Sequence, residues 1–333
     1  MKSSTMKAIV CTAYGSPDYL QIQDRPVPVP QDNEVLIEVH ATTVTKADTM
    51  MRQAQPYISR FFLGFSKPKH DVMGTGYAGT VIAVGSSVED FQVGDRVFGE
   101  TGVTFGANAE YIKTAADQVI ARIPEGVSFA EAATISDGPL TSYNFLTRLH
   151  KLEAGQHILI NGASGSLGTA AIQLAKLRGA TVTAVCSAKN AELVKSLGAD
   201  HVIDYHTTDF TLTGQQYDVI YDTVGTRSFS DSKRALKPKG VYLTPVLRFG
   251  ILLAMLSSSI GSGKKAKFDA TGLLPAKELR PMLKELVKLV ENGDLKVIID
   301  RSYPLVETPE AHAYVDSGRK RGNVVIEVRA AAA

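Results

Sequence analysis

The chain has 333 residues, 44% hydrophobic and 21% charged, with 28 glycines and 14 prolines; this is the composition of about two globular domains, each able to bury its own core. Lys and Arg (36) nearly balance Asp and Glu (34), for a formal charge of +2, which argues against a surface built throughout for nucleic acid. Two cysteines, Cys11 and Cys186, cannot supply a disulfide framework or a four-cysteine zinc site. Met1 to Ala8 also lacks the apolar run of a signal peptide, so the expectation is a soluble protein of the reducing cytoplasm.

The first 125 or so residues read as β structure. Glu34–Val39 alternates apolar and charged residues as a half-buried strand does, Gly79–Val84 is a second strand, and Val93–Phe98 turns into a third. Short strands punctuated by Gly and Pro predict an antiparallel, barrel-like domain. After Pro124 and Gly126 comes a helical stretch, Ala130–Ile135. From His157 the pattern changes, with strands expected at 157–161, 181–185, 201–205, 218–222 and 240–244. Helices at Leu167–Arg178 and Ala191–Leu197, stopped by Gly179 and Gly198, separate the first of these. Such alternation implies right-handed βαβ units and a parallel sheet. The run Phe249–Met255 is too short to span a bilayer. It reads as a buried or interface helix, or as a greasy flap or membrane-surface contact, and Lys264, Lys265 and Lys267 after it read equally well as a solvated basic turn. Glu278–Val290 is a further helix with Leu279, Leu283, Leu286 and Val290 on one face, Asn323–Val328 is a last strand able to return to the first domain, and Ala330–Ala333 reads as an unstructured end.

Asn161–Gly168, N-G-A-S-G-S-L-G, lies between a predicted strand and a predicted helix. A dinucleotide pyrophosphate needs small residues there, because the backbone must approach it closely and offer it the amides of the helix start. Gly162, Gly165 and Gly168 supply the turn, Ser164 and Ser166 add hydroxyls, and Leu167 opens the helix. The second strand ends in Val185-Cys-Ser-Ala-Lys-Asn190 without the carboxylate that usually binds the ribose of NAD. Ser187, Lys189 and Asn190 can instead donate to a 2′-phosphate, and Tyr205 can cover the adenosine. The expected cofactor is NADPH.

These residues resemble the medium-chain dehydrogenase/reductase superfamily, and within it the zinc-free quinone oxidoreductase branch. Gly155, Ala163–Gly168, Gln173 and Lys176 carry the resemblance, with Tyr77–Gly85, Val93–Val97 and Tyr221–Gly225 as further landmarks. Ser166 departs from the usual glycine. The resemblance implies an α/β chain: a GroES-like antiparallel β-barrel domain (1–127 with 295–333) and a Rossmann doubly wound parallel sheet (128–294), with the active site in the cleft between them. It also implies a homodimer. The zinc enzymes of the superfamily have a Cys near the position of Thr45 and Gly-His-Glu where this chain has Gly74-Thr75-Gly76, so no metal ligand set is expected. Without a Lewis acid, alcohol oxidation is the poorer reading. Hydride transfer to a quinone or to a carbon–carbon double bond conjugated to a carbonyl needs less help. A redox-sensing NADPH-binding protein, or a metal-free alcohol or carbonyl oxidoreductase, is the alternative.

By the same resemblance Thr45 stands where an Asn often contacts substrate or nicotinamide, and Asp48 reads as structural. Lys46 is either an oxyanion ligand or a surface ion pair, and Tyr57 is a candidate proton donor, with water as the other source. Thr141, Val224, Gly225 and Thr244 are expected along the cofactor. Asn323 replaces a phosphate-contacting Lys, and Arg319-Lys-Arg321 reads as a solvated turn. The segments Pro56–Lys69 and Leu247–Ile260 are greasy enough to imply a small lipophilic carbonyl or quinone substrate. No nucleic-acid partner and no transmembrane segment are expected; a peripheral membrane contact remains open.

Overall fold

A computed structural model describes residues 5–260 and 263–329; the closing alanines lie outside them. The chain divides into two compact units, Met1–Asp137 with Gly272–Glu291 and Ile299–Ala333, and Gly138–Thr271 with Asn292–Ile298. The sequence-based boundaries were 127/128 and 294/295.

In the first unit β1 (Thr5–Cys11) pairs antiparallel with β2 (Leu20–Pro26). The long β3 (Glu34–Thr43) is the spine of a seven-stranded sheet. Val35, Ile37 and Val39 point inward from it with no exposed surface and pack on Tyr77, Val81 and Val97, which is the burial that its alternation predicts. The chain then forms α1 (Lys46–Arg52) and the single turn α2 (Arg60–Leu63). It returns as β4 (Gly76–Val84), β5 (Arg96–Glu100), β6 (Tyr111–Ala115) and β7 (Ile120–Arg122), all antiparallel to their neighbours. Helix α3 (Phe129–Ile135) starts at a capping box, with Ser128 bonding the Glu131 amide and Glu131 bonding back.

The second unit opens with α4 (Gly138–Asn144). Strands and helices then alternate as β8 (His157–Asn161), α5 (Ser166–Leu177), β9 (Thr181–Cys186), α6 (Ala191–Ser196) and β10 (His201–Asp204). After them come β11 (Tyr217–Asp222), the short α7 (Phe229–Ser232), β12 (Leu236–Thr244), α8 (Phe249–Ser259) and β13 (Lys265–Phe268). All pairings in this sheet are parallel, in the order β10-β9-β8-β11-β12-β13. That is the doubly wound order, whose direction of winding reverses between β8 and β11.

The remaining elements belong to the first unit. Helix α9 (Ala276–Glu291) buries Leu279, Met282, Leu283 and Leu286, while Val290 stays half-exposed. Then follow β14 (Ile299–Pro304), α10 (Thr308–Asp316) and β15 (Asn323–Glu327), which pairs antiparallel with β3 as expected of the last strand.

Three expectations need correction. Of the readings for helix α8, full burial does not hold: its inner side packs on the sheet through Ile251, Ala254 and Met255, but Phe249, Leu252, Leu253 and Leu256 are exposed. Of the basic cluster after it, Lys265 and Lys267 lie in strand β13 and Lys264 just precedes it. There the Lys265 ammonium bonds the Ser258 and Ser259 carbonyls at the end of α8, and Lys267 bonds the Leu149 carbonyl. Nor is Arg319-Lys-Arg321 a freely solvated turn. Lys320 donates to the Gly322 carbonyl and burial pulls its pKa down, while Arg321 pairs with Asp300.

Candidate cofactor site

Strand β8 is driven into the second unit by Ile158, Leu159 and Ile160, all without exposed surface, and it delivers the chain to the glycine turn. The three glycines answer three different demands. Gly162 has φ +79°, and a Cβ on it would be driven into Val224 and Thr223. Gly168 sits in the first turn of α5, where a Cβ would collide with the Gly162 carbonyl and Ala163. Gly165 is the N-cap of α5 at φ −81°, and the nearest atom to a Cβ there is the Gly162 oxygen at 3.5 Å. The local fold does not require glycine at 165. A Cβ there would make only that one ordinary contact, and no side chain caps the helix, which leaves the close approach that a pyrophosphate needs. Ser166 fits because Gly138 lacks a side chain: a Cβ at 138 would land on the Ser166 hydroxyl. Leu167 is tied down at its carbonyl by the Ser142 hydroxyl, 2.8 Å, on α4, which also carries the half-buried Thr141.

The parallel register aligns the C-terminal strand ends. Asn161 stands opposite Val185 on one side and Asp222 on the other, and Cys186 stands opposite Asp204. The residues that follow them, Gly162, Ser187, Tyr205, Val224 and Gly225, therefore come to one edge of the sheet, together with Thr244 at the end of β12. Asp222, noted in the sequence only as a landmark, organises this edge. Fully buried, it accepts from Asn161 Nδ2 (2.9 Å), the Val224 and Gly225 amides (3.1 and 2.8 Å), the Arg227 amide (3.2 Å) and the Tyr242 hydroxyl (2.9 Å). Those bonds fix the loop at the reversal of winding. The buried Thr244 hydroxyl accepts from the Val246 amide, 3.2 Å.

At the end of β9, Asn190 is buried and its Nδ2 donates to the Ser164 hydroxyl, 2.9 Å, while its Oδ1 has no partner. This bond ties the corner to the glycine turn and leaves a buried acceptor for a ligand hydroxyl. Ser187 is buried beside it, and Lys189 is exposed with no ion-pair partner among the described residues. Tyr205 is exposed and leans on His206, with ring centroids 4.3 Å apart. The carboxylate of this corner, Asp204, accepts from the His206 amide. The set fits a dinucleotide: a helix start without a side-chain cap, an unsatisfied acceptor for a ribose hydroxyl and an exposed ammonium.

The other predicted residues lie in the first unit. Thr45 is the N-cap of α1 and its hydroxyl is committed twice, donating to Asp48 Oδ2 at 2.7 Å and accepting from the Asp48 amide at 3.0 Å. Asp48 is fully buried, and burial pushes its pKa up to about 7 against the hydrogen bonds from Thr45. Lys46 pairs with Asp316 at 3.3 Å on the surface. Tyr57 is exposed and lies under the Arg60 guanidinium, 4.4 Å from its centroid. Asn323 is buried at the start of β15. Sequence reasoning missed Glu100, the carboxylate that ends β5. Burial, then Asp137 and Asp48, push its pKa up to about 8. Among the described residues no group of three or more His, Cys, Asp or Glu could hold a metal ion.

Comparison with known proteins places this geometry. The family profile described as "Alcohol dehydrogenase GroES-like domain" matches residues 31–132, and the one described as "Zinc-binding dehydrogenase" matches 197–326. The chain is 30% identical to the chloroplast envelope quinone oxidoreductase homolog of Arabidopsis thaliana, over 98% of this chain and all of that one.

The chain belongs to the medium-chain dehydrogenase/reductase family, in its quinone oxidoreductase-like branch.

Among solved structures of this family, the quinone oxidoreductase from Coxiella burnetii superposes with a TM-score of 0.86 at 30% identity, covering 98% of this chain and 100% of that chain. The Escherichia coli quinone oxidoreductase, solved in complex with NADPH, gives 0.82 at 26% identity over 98% and 100%. The fold is that of the family, a GroES-like domain with a parallel-sheet Rossmann domain, and the protein is an oxidoreductase. No helix among the described residues is long and apolar enough to cross a membrane.

Proposed function

We propose that the protein is an NADPH-dependent reductase of quinones or α,β-unsaturated carbonyl compounds that works without a metal. The observation that carries this reading is the helix start at Gly165, without a capping side chain, next to a corner with an exposed Lys189. Bound NADPH supplies the hydride, directed at an electron-poor carbon. The chain's own part is positional: the glycine turn holds the pyrophosphate, Ser164 and Asn190 fix the corner, Ser187 and Lys189 receive the 2′-phosphate, and Tyr205 covers the adenosine. The Asp222-anchored loop presents Val224 and Gly225, with Thr141, Leu167 and Thr244 along the same cofactor. Thr45 acts as a cap more than as a donor, since its proton is spent on Asp48. Lys46 and Tyr57 have surface partners, which supports solvent as the proton source. The acceptor is a small lipophilic molecule, the protein is cytoplasmic, and it forms a homodimer.

The experiment is steady-state oxidation of NADPH and NADH with a panel of quinones and enones, repeated for Lys189→Ala. Turnover preferring NADPH is expected, with the KM for NADPH rising roughly tenfold in the variant and that for NADH unchanged. Tight NADPH binding with no turnover across the panel would replace this reading with a redox-sensing binding protein.

A further inference from the structure

Helix α8 is apolar on two sides. Ile251, Ala254 and Met255 pack on the sheet cluster. On the outer side Phe249, Leu252, Leu253, Leu256 and Ile260 are 76, 47, 52, 69 and 83% exposed. These positions follow the i, i+3, i+4, i+7, i+11 spacing of one helical stripe. A contiguous exposed stripe of this kind marks a contact surface. Beside it, between α7 and α8, runs a groove of about 500 Å³ lined by Phe229, Leu253, Ala254, Leu256 and Ile260, with Lys233 among the residues around it.

Along the segment that carries the stripe the charge has one sign. From Leu247 to Lys267 the chain carries Arg248, Lys264, Lys265 and Lys267 and no acidic residue. Arg248 is exposed at the start of α8, and beyond its other end the Lys264 ammonium reaches the carbonyl of the exposed Lys233, 2.6 Å, so cations flank the stripe at both ends. Asp231 on α7 is occupied by the Ser228 capping box. A second copy placed symmetrically on α8 would set cation against cation across the two-fold axis. An anionic lipid surface satisfies both parts, with headgroups for the cations and hydrocarbon for the stripe.

We propose that the outer face of α8 docks on an anionic lipid bilayer, with Phe249, Leu252, Leu253, Leu256 and Ile260 inserted at the headgroup boundary and Arg248, Lys233 and Lys264 on the headgroups. The proposal is independent of the cofactor reading. Its test is co-sedimentation of the full chain with phosphatidylcholine vesicles and with vesicles that also contain phosphatidylglycerol. Wild type is expected to pellet with the anionic vesicles, and added salt to release it. Leu252→Ser/Leu256→Ser is expected to lower the partition coefficient roughly tenfold. Arg248→Glu is expected to lower binding to the anionic vesicles alone. All of these positions are exposed, and an unchanged thermal melt certifies the fold. Equal pelleting of wild type and the serine variant overturns the proposal. So does a serine variant that halves the mass in light scattering, which would assign the face to a second copy.

Discussion

A glycine is informative where the local fold does not need it. At Gly162 and Gly168 a methyl group meets the Val224 side chain or the Gly162 carbonyl, so alanine there disturbs the turn itself. At Gly165 the backbone is in an ordinary region and the space beside it is open. Gly165→Ala is therefore expected to melt like wild type while its NADPH dissociation constant rises roughly tenfold, because the methyl group occupies the approach of the pyrophosphate. Titration calorimetry beside a thermal melt checks both halves. If Gly165→Ala binds NADPH like wild type, the turn at Gly165 is not the phosphate site. Gly162→Ala, with its positive φ and its collision, is expected to lose thermal stability as well.

At the scale of elements, the loop after β11 is held by one carboxylate. Asp222→Asn turns an amide toward donors that now have a carboxylate oxygen, and is expected to cost about 2–4 kcal/mol in urea unfolding. Tyr242→Phe, which removes one donor and leaves the amide bonds in place, is expected to cost about 1 kcal/mol. Equal losses would mean that the loop does not depend on Asp222. This anchor was not legible in the sequence, because its donors come from β8, the following loop and β12, which only the folded sheet assembles. Strands β8 to β12 were legible to within a few residues, since the core of a parallel sheet is written as short apolar runs stopped by Gly or Asp. Strand β13, K-A-K-F, was not, because its lysines satisfy carbonyls and look like a turn in the sequence. The outward face of α8 was not legible either: an apolar run carries no sign of which of its sides the protein covers. The glycine turn was legible because its residues are adjacent in the chain. Asp48, read as structural, belongs to the capping box of α1; the upward shift of Glu100 comes first from burial and then from Asp137 and Asp48, carboxylates distant in sequence.

The whole molecule titrates through a few buried groups, and their signs differ. His312 on α10 is fully buried with neither ring nitrogen bonded, and burial lowers its pKa to about 3. The unfolded chain takes up that proton first as pH falls below about 6.5, so this term costs stability only on the acid side. Asp48 and Glu100, shifted up to about 7 and about 8, act in the opposite sense. The unfolded chain releases their protons near pH 4, whereas the folded chain holds them longer. Stability therefore declines from about pH 4 until each folded pKa is passed, and is flat beyond. Carboxylates such as Asp200, Asp218 and Asp300 are held below their ordinary values by their partners and have finished titrating by then. Between roughly pH 6.5 and 8.5 the decline is thus assigned mainly to Asp48 and Glu100, with the buried Cys11 and Cys186 thiols, pushed up to about 11, adding to it toward the alkaline end. Glu100→Gln stays neutral at every pH and removes the Glu100 contribution to the decline. Against wild type, it is expected to gain on the order of 2 kcal/mol between pH 5.5 and 8.5 in denaturant unfolding. Parallel pH profiles for the two proteins would show that Glu100 is already ionised in the folded chain at neutral pH.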